Sequence, residues 1–162
     1  MPSLRFAVAV PALLAASPCA SAQIQVDPLR FFEGRTETVG TVKVMFRKPY
    51  NTRSIGVGRI ERDGSLTLVQ RVEDEGKEAH DRRWHVKQVA ADRFSGTMTE
   101  AVGPVVIDRV GERYRFRFKM KGNLNAEQIM LPLPGGRAAR SSVKVKRMGI
   151  TVATTEGTIR KI

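Results

Sequence analysis

From residue 23 onward, apolar and polar positions alternate with a period of two almost throughout, the period that sends successive side chains to opposite faces of a strand. Residues 41–46 set Val42, Val44 and Phe46 against Thr41, Lys43 and Met45. Residues 54–62 and 65–72 read as two strands around a tight Asp63-Gly64 turn, and Glu73-Asp74-Glu75-Gly76 makes the next, acidic turn. Further strands are predicted over 83–89, 93–100, 105–110, 113–122, 129–133 and 140–146, and a last one runs to about residue 162. Ala91-Asp92, Gly111-Glu112 and Pro134-Gly135-Gly136 supply turn residues between them. Past Val143 and Val145 the inward phase moves to Met148, Ile150 and Val152, so a turn or bulge must interrupt the chain near Arg147. The pattern contains no helix, repeat or internal domain boundary.

Nine or ten short strands, each with one dry and one wet face, predict an all-β fold. Consecutive antiparallel hairpins that bury one face and remove their edges close most simply into an up-and-down β-barrel, with a β-sandwich as the alternative. The sharpest alternation is "RYRFRFKMKG", residues 113–122. Tyr114, Phe116, Phe118 and Met120 fall on one face, and Arg113, Arg115, Arg117, Lys119 and Lys121 on the other. A platform for single-stranded nucleic acid needs rings and cations accessible together, which this arrangement denies, so nucleic acid is excluded as a partner. The rings belong to the barrel interior, where Trp84, Phe94 and Met98 join them from neighbouring strands. Together with Tyr114, Phe116 and Phe118 these are the candidate ligand-binding residues, since a barrel of about eight strands holds one small ligand. The cationic row Arg113, Arg115, Arg117, Lys119 and Lys121 is the candidate membrane-facing surface.

The N-terminus changes the picture by giving the chain an address. Arg5 precedes an apolar run over 6–16, too short to span a bilayer, and Ala20-Ser21-Ala22 places small residues where a signal peptidase reads them. Residues 1–22 are therefore predicted to be a secretory signal, leaving 23–162 as a single barrel domain that is periplasmic or secreted. The chain has one cysteine, Cys19, and Pro18 before it disfavours lipidation. Loss of Cys19 with the leader removes any disulfide, thiol nucleophile or thiolate ligand. The formal net charge of +12 draws an exported protein toward anionic surfaces such as phospholipid head groups, or else serves solubility.

Phe31-Phe32-Glu33-Gly34, Gly40, Asp63-Gly64-Ser65-Leu66-Thr67-Leu68, Gly76 and Arg83-Trp84 resemble a bacterial envelope family. Phe94-Ser95-Gly96-Thr97, Val102-Gly103, Arg137, Met148-Gly149-Ile150-Thr151-Val152 and Arg160-Lys161 extend the resemblance. That family is domain of unknown function 3833. The resemblance runs from about Leu29 to the C-terminus and implies a calycin- or lipocalin-like barrel at the envelope, without an established activity. Many members look like lipoproteins; this sequence departs from them at Pro18, and it has Met148 where an aromatic is usual.

Catalytic chemistry leaves no contiguous trace. His80 and His85 are an odd number of residues apart, which puts them on opposite faces of one strand and rules out a shared metal. Glu73-Asp74-Glu75 reads as a solvated turn. Gly56-Val57-Gly58 lacks the third glycine and following helix of a dinucleotide fingerprint, and marks a bend or a close packing contact instead. No serine occupies a G-x-S-x-G elbow. The sequence thus predicts a barrel that binds an apolar small molecule or lipid, with peripheral contact to an anionic membrane surface and with no cofactor, metal or catalysis. The competing prediction is a structural or interaction protein whose barrel is filled by its own side chains and whose outer wall is cationic.

Overall fold

Residues 26–162 are described by a computed structural model, and the period-two pattern resolves there into ten antiparallel strands. They are β1 (Gly34–Val44), β2 (Tyr50–Ile60), β3 (Leu66–Asp74), β4 (His80–Ala90), β5 (Arg93–Met98), β6 (Val105–Val110), β7 (Arg113–Met120), β8 (Leu124–Pro132), β9 (Ala138–Arg147) and β10 (Ile150–Lys161). Each strand pairs with the next in sequence, and β1 pairs with β10, so the sheet closes with no free edge. The predicted up-and-down barrel is the observed fold, and the sandwich is not. The leader over 1–22 and Cys19 lie outside the described residues.

The structure adds one helix that the pattern did not predict: α1 (Pro28–Phe31), a single turn. Asp27 caps it, its carboxylate accepting from the Leu29 N–H at 2.8 Å, and Pro28 occupies the first helical position, where a missing N–H costs nothing. Periodicity cannot reveal so short a helix. Leu29 and Phe31 are buried, and Phe31 meets Phe32 edge to face at 5.1 Å between centroids. This turn plugs the barrel end where β1 begins. A Cβ at Gly58 would overlap the Phe32 carbonyl, so the close approach expected of that glycine is to the plug rather than to another strand. The Tyr114 hydroxyl donates to the Val26 carbonyl, and the Lys161 ammonium donates to the Arg30 carbonyl at 3.0 Å. Burial pushes the Tyr114 phenol upward and keeps it a neutral donor.

Several strand boundaries differ from the pattern, four of them for identifiable reasons. β1 begins at Gly34 and β8 at Leu124, earlier than predicted, because Thr36, Thr38 and Gln128 face inward as polar residues and break the apolar alternation. Phe46 is not an inward strand residue; it is 99% exposed beyond the end of β1, with φ 61°. Met148 and Ile150 are likewise not inward, at 87% and 62% exposure, because Arg147-Met148-Gly149-Ile150 is the β9–β10 hairpin tip. The predicted bulge exists, with Val152 as the extra residue between Thr151 and Ala153.

On the outer wall, two carboxylates organise the arginines. Glu37 of β1 accepts from Arg53 of β2 at 2.8 Å and from Arg160 of β10 at 2.6 Å, riveting the closing seam. Asp108 of β6 accepts from Arg93 at 2.8 Å and from Arg117 at 2.6 Å, with Arg115 at 4.0 Å. Both carboxylates are nearly covered by the guanidinium groups. The hydrogen bond from Arg160, followed by that from Arg53, holds the Glu37 carboxyl below its ordinary range; the bond from Arg93 leads the same effect at Asp108. A depressed folded-state value means that the stabilisation is complete above the ordinary carboxyl values and disappears as pH falls through the lower folded ones. The denaturant midpoint should therefore decline as pH drops below about 4.5. A Glu37→Gln/Asp108→Asn variant should start lower at neutral pH and decline less steeply in acid; parallel curves would show that neither cluster contributes.

Candidate functional site

Ten strands enclose more space than their inward side chains fill. Between the α1 plug and the opposite, open end lies a cavity of about 360 Å³. The open end is where β1, β3, β5, β7 and β9 finish and the even-numbered strands begin. A volume of this size is in the range of small-molecule sites and is the outcome that separates the two readings of the sequence: the barrel is not filled by its own side chains.

One side of the cavity is aromatic. Trp84 of β4 meets Phe116 and Phe118 of β7 edge to face, with centroids 6.4 and 6.2 Å apart. Met98 pairs across from Trp84 on β5, and Leu66, Leu68 and Val86 continue the apolar surface. The opposite side is smoother, because Gly40 and Gly157 face each other across the β1–β10 seam beside Val143, Val145, Ala153 and Thr155.

Polar groups enter this cavity at defined points. The Trp84 indole N–H donates to Gln70 Oε1 at 2.8 Å, and Gln128 donates to Ser141 Oγ at 2.9 Å. Toward the open end, Arg82 Nε donates to Glu100 Oε1 at 2.8 Å, while Glu100 Oε2 is buried with no hydrogen-bond partner. His80 Nε2 lies 3.4 Å from Glu100 Oε1. A buried carboxylate oxygen without a donor is costly, and a ligand hydroxyl or amine would satisfy it. The guanidinium beside it is a natural partner for a carboxylate or phosphate. The cavity therefore offers one apolar wall and one charged, bifunctional end.

Of the six interior residues predicted from sequence, Trp84, Met98, Phe116 and Phe118 line the cavity. Phe94 and Tyr114 also point inward, but they pack on each other at 6.4 Å in the plugged half, where they belong to the core and not to the cavity wall. The sequence reading missed Gln70, Arg82, Glu100 and Gln128. Gln70 and Arg82 share the inward parity of Trp84, a signal that was present but masked by their polarity. Glu100 ends the predicted strand over 93–100 with the inward parity of Met98, and its polarity masked it in the same way, although the observed β5 stops at Met98. His80 and His85 do lie on opposite faces, His85 outward against Thr67 at 3.3 Å. Among the described residues no group of three or more His, Cys, Asp or Glu is disposed to hold a metal ion.

The outer row of β7 divides. Arg115 and Arg117 are tied to Asp108, Arg113 stands at the plugged end, and Lys119 and Lys121 continue toward the open rim.

The sequence model of a family described as "Protein of unknown function (DUF3833)" matches residues 12–135. No curated protein matches by sequence. Among solved structures, the barrel is similar to an S-type phycobiliprotein lyase from Guillardia theta, with a TM-score of 0.66 at 6% identity, covering 83% of this chain and 90% of that one. The likeness is one of fold, that of a calycin-like barrel. It also corrects one expectation: a barrel of this fold is found in a lyase, so the lack of a contiguous motif does not make the chain a non-enzyme. In a barrel, side chains from several strands converge on one cavity, as Gln70, Arg82 and Glu100 do here, and no linear motif need record them.

The Trp84–Gln70 bond gives a direct test of this wall. Trp84→Phe keeps an aromatic ring, though a smaller one, but removes the N–H and strands the buried Gln70 carbonyl, and should cost about 1–3 kcal/mol in urea unfolding. Adding Gln70→Leu should recover most of that loss, because both polar partners are then gone. A Trp84→Phe midpoint equal to that of the parent would show the bond to be energetically idle.

Proposed function

The chain belongs to the DUF3833 family, and from its barrel we propose that it carries one amphipathic small molecule, lipid-like in character, at the bacterial envelope. The observation that carries the proposal is the two-ended cavity: an apolar wall of Trp84, Met98, Phe116 and Phe118, and the Arg82–Glu100 pair with its unsatisfied oxygen. A fully apolar ligand would leave Glu100 Oε2 unpartnered, whereas a wholly polar one would waste the aromatic wall. An acyl or ring body against the aromatics, with a polar head at Arg82 and Glu100, uses both. Export through the leader over 1–22 would put the barrel where lipids and envelope metabolites are the available cargo. The basic charge supports a peripheral association with anionic head groups.

Trp84 is the chain's single tryptophan, so cargo entering the cavity should change its emission. Titration with the neutral fluorophore 1-N-phenylnaphthylamine should quench Trp84 and brighten the probe with saturable, one-site stoichiometry. Phe118→Ala should weaken binding by about tenfold, the loss of one buried apolar contact surface. Val143→Phe, which fills the opposite wall, should abolish binding while the unfolding midpoint stays near that of the parent. Saturable binding that ignores both substitutions would place the probe outside the barrel and overturn the reading.

A further inference from the structure

The open rim is chemically divided. Its β3–β4 side is acidic, with Glu73, Asp74, Glu75, Glu78 and Asp81 outnumbering Lys77, which is bound to Tyr50 and Asp74, and Arg53 and Arg71, which pair with Glu73 and Asp81. The side built from the β1–β2, β7–β8 and β9–β10 connections is the opposite. No acidic residue occurs between Glu37 and Glu61 or between Glu127 and Glu156, and these stretches bring Lys43, Arg47, Lys48, Lys144, Lys146 and Arg147 to the rim. None of these six cations enters a salt bridge among the described residues.

The same side carries the most exposed large apolar side chains among the described residues. Phe46 is 99% exposed and Met148 87%, with Ile150 and Met45 beside them. The two tips are neighbours, because the Met45 N–H donates to the Val152 carbonyl at 2.9 Å. Phe46 and Met148 both hold left-handed backbone, φ 61° and 48°, at tip positions where glycine or asparagine would be the strain-free and soluble choice. A bulky apolar side chain in that conformation, aimed at water and ringed by unpaired cations, has the chemistry that suits a bilayer interface. The cavity opens beside it, lined there by Val44, Tyr50, Met120 and Val145.

We infer that this half of the rim docks on an anionic phospholipid bilayer, with Phe46 and Met148 entering the interface and the surrounding Lys and Arg side chains meeting phosphate. The acidic β3–β4 side, repelled by the same surface, tilts away and fixes the orientation. Docking as such does not depend on the cargo, but its use, loading the cavity through a mouth held against the bilayer, rests on the function proposed above.

The test uses the full chain and vesicles of phosphatidylglycerol and phosphatidylcholine. In a Trp84→Phe/Gln70→Leu background, a tryptophan introduced as Phe46→Trp should shift to the blue and be quenched by brominated phospholipid. One introduced as Val57→Trp, on the outer wall of β2 toward the plugged end, should do neither. Phe46→Ser/Met148→Ser should reduce vesicle partition by about tenfold or more with an unchanged unfolding midpoint. Reversing Arg47, Lys48, Lys146 and Arg147 to Glu should cost about fivefold per cation at low salt and remove the salt dependence. Equal quenching at the two tryptophan positions, or partition indifferent to both sets of substitutions, overturns the docking. So does Phe46→Ser/Met148→Ser changing only the elution volume, which would make the tip a contact between two copies of the chain. Quenching at Phe46→Trp with no uptake of 1-N-phenylnaphthylamine sustains docking and sinks the carrier; the reverse result sinks docking alone.

Discussion

Pairing of β1 with β10 is the contact on which everything else in this molecule rests. Without it, the sheet would present two long unpaired edges, and the inward row of every strand would face water. The seam brings together the first and last strands of the fold, so its closure collects the largest loop entropy of any strand pair. Its chemistry fits that burden: Gly40 and Gly157 let the two backbones lie flush, and Glu37 ties Arg53 and Arg160 across three strands from outside. Closure with ten strands then produces a lumen wider than Val, Thr and Ala can fill on the seam side, while Trp84, Phe116 and Phe118 crowd the other. The cavity is a consequence of that asymmetry.

Strand content was legible because the barrel has one dry face, and the alternation survives wherever the lumen is apolar. It failed where the lumen is polar. Thr36, Thr38 and Gln128 broke the pattern at the beginnings of β1 and β8, and the residues that give the cavity its chemistry, Gln70, Arg82 and Glu100, were passed over for the same reason. Reading Phe46 and Met148 as inward extended a correct phase past the points where the chain turns. A period-two rule has no means of distinguishing an apolar residue that ends a strand inward from one displayed at its tip. The plug escaped notice because one helical turn is shorter than the period needed to detect it.

The basic charge of the chain likewise separates into populations that composition merges. Arg93, Arg115, Arg117, Arg53 and Arg160 are consumed in holding strands together around Asp108 and Glu37, and contribute little field at a distance. The cations of the β1–β2 and β9–β10 tips have no such partners and supply the outward field. Equal numbers of arginines on the wall and lysines at the rim would look identical in a net charge, yet the former act on folding and the latter on association.

The plug also sets a direction for the whole molecule. Val26 sits at the sealed pole, held by Tyr114, while the mouth opens at the other. The described chain thus begins at the pole opposite the mouth. A tether attached there would hold the molecule like a cup by its base, with its lip turned toward whatever surface lies opposite. Such a protein reaches across a gap instead of lying flat against its own anchor.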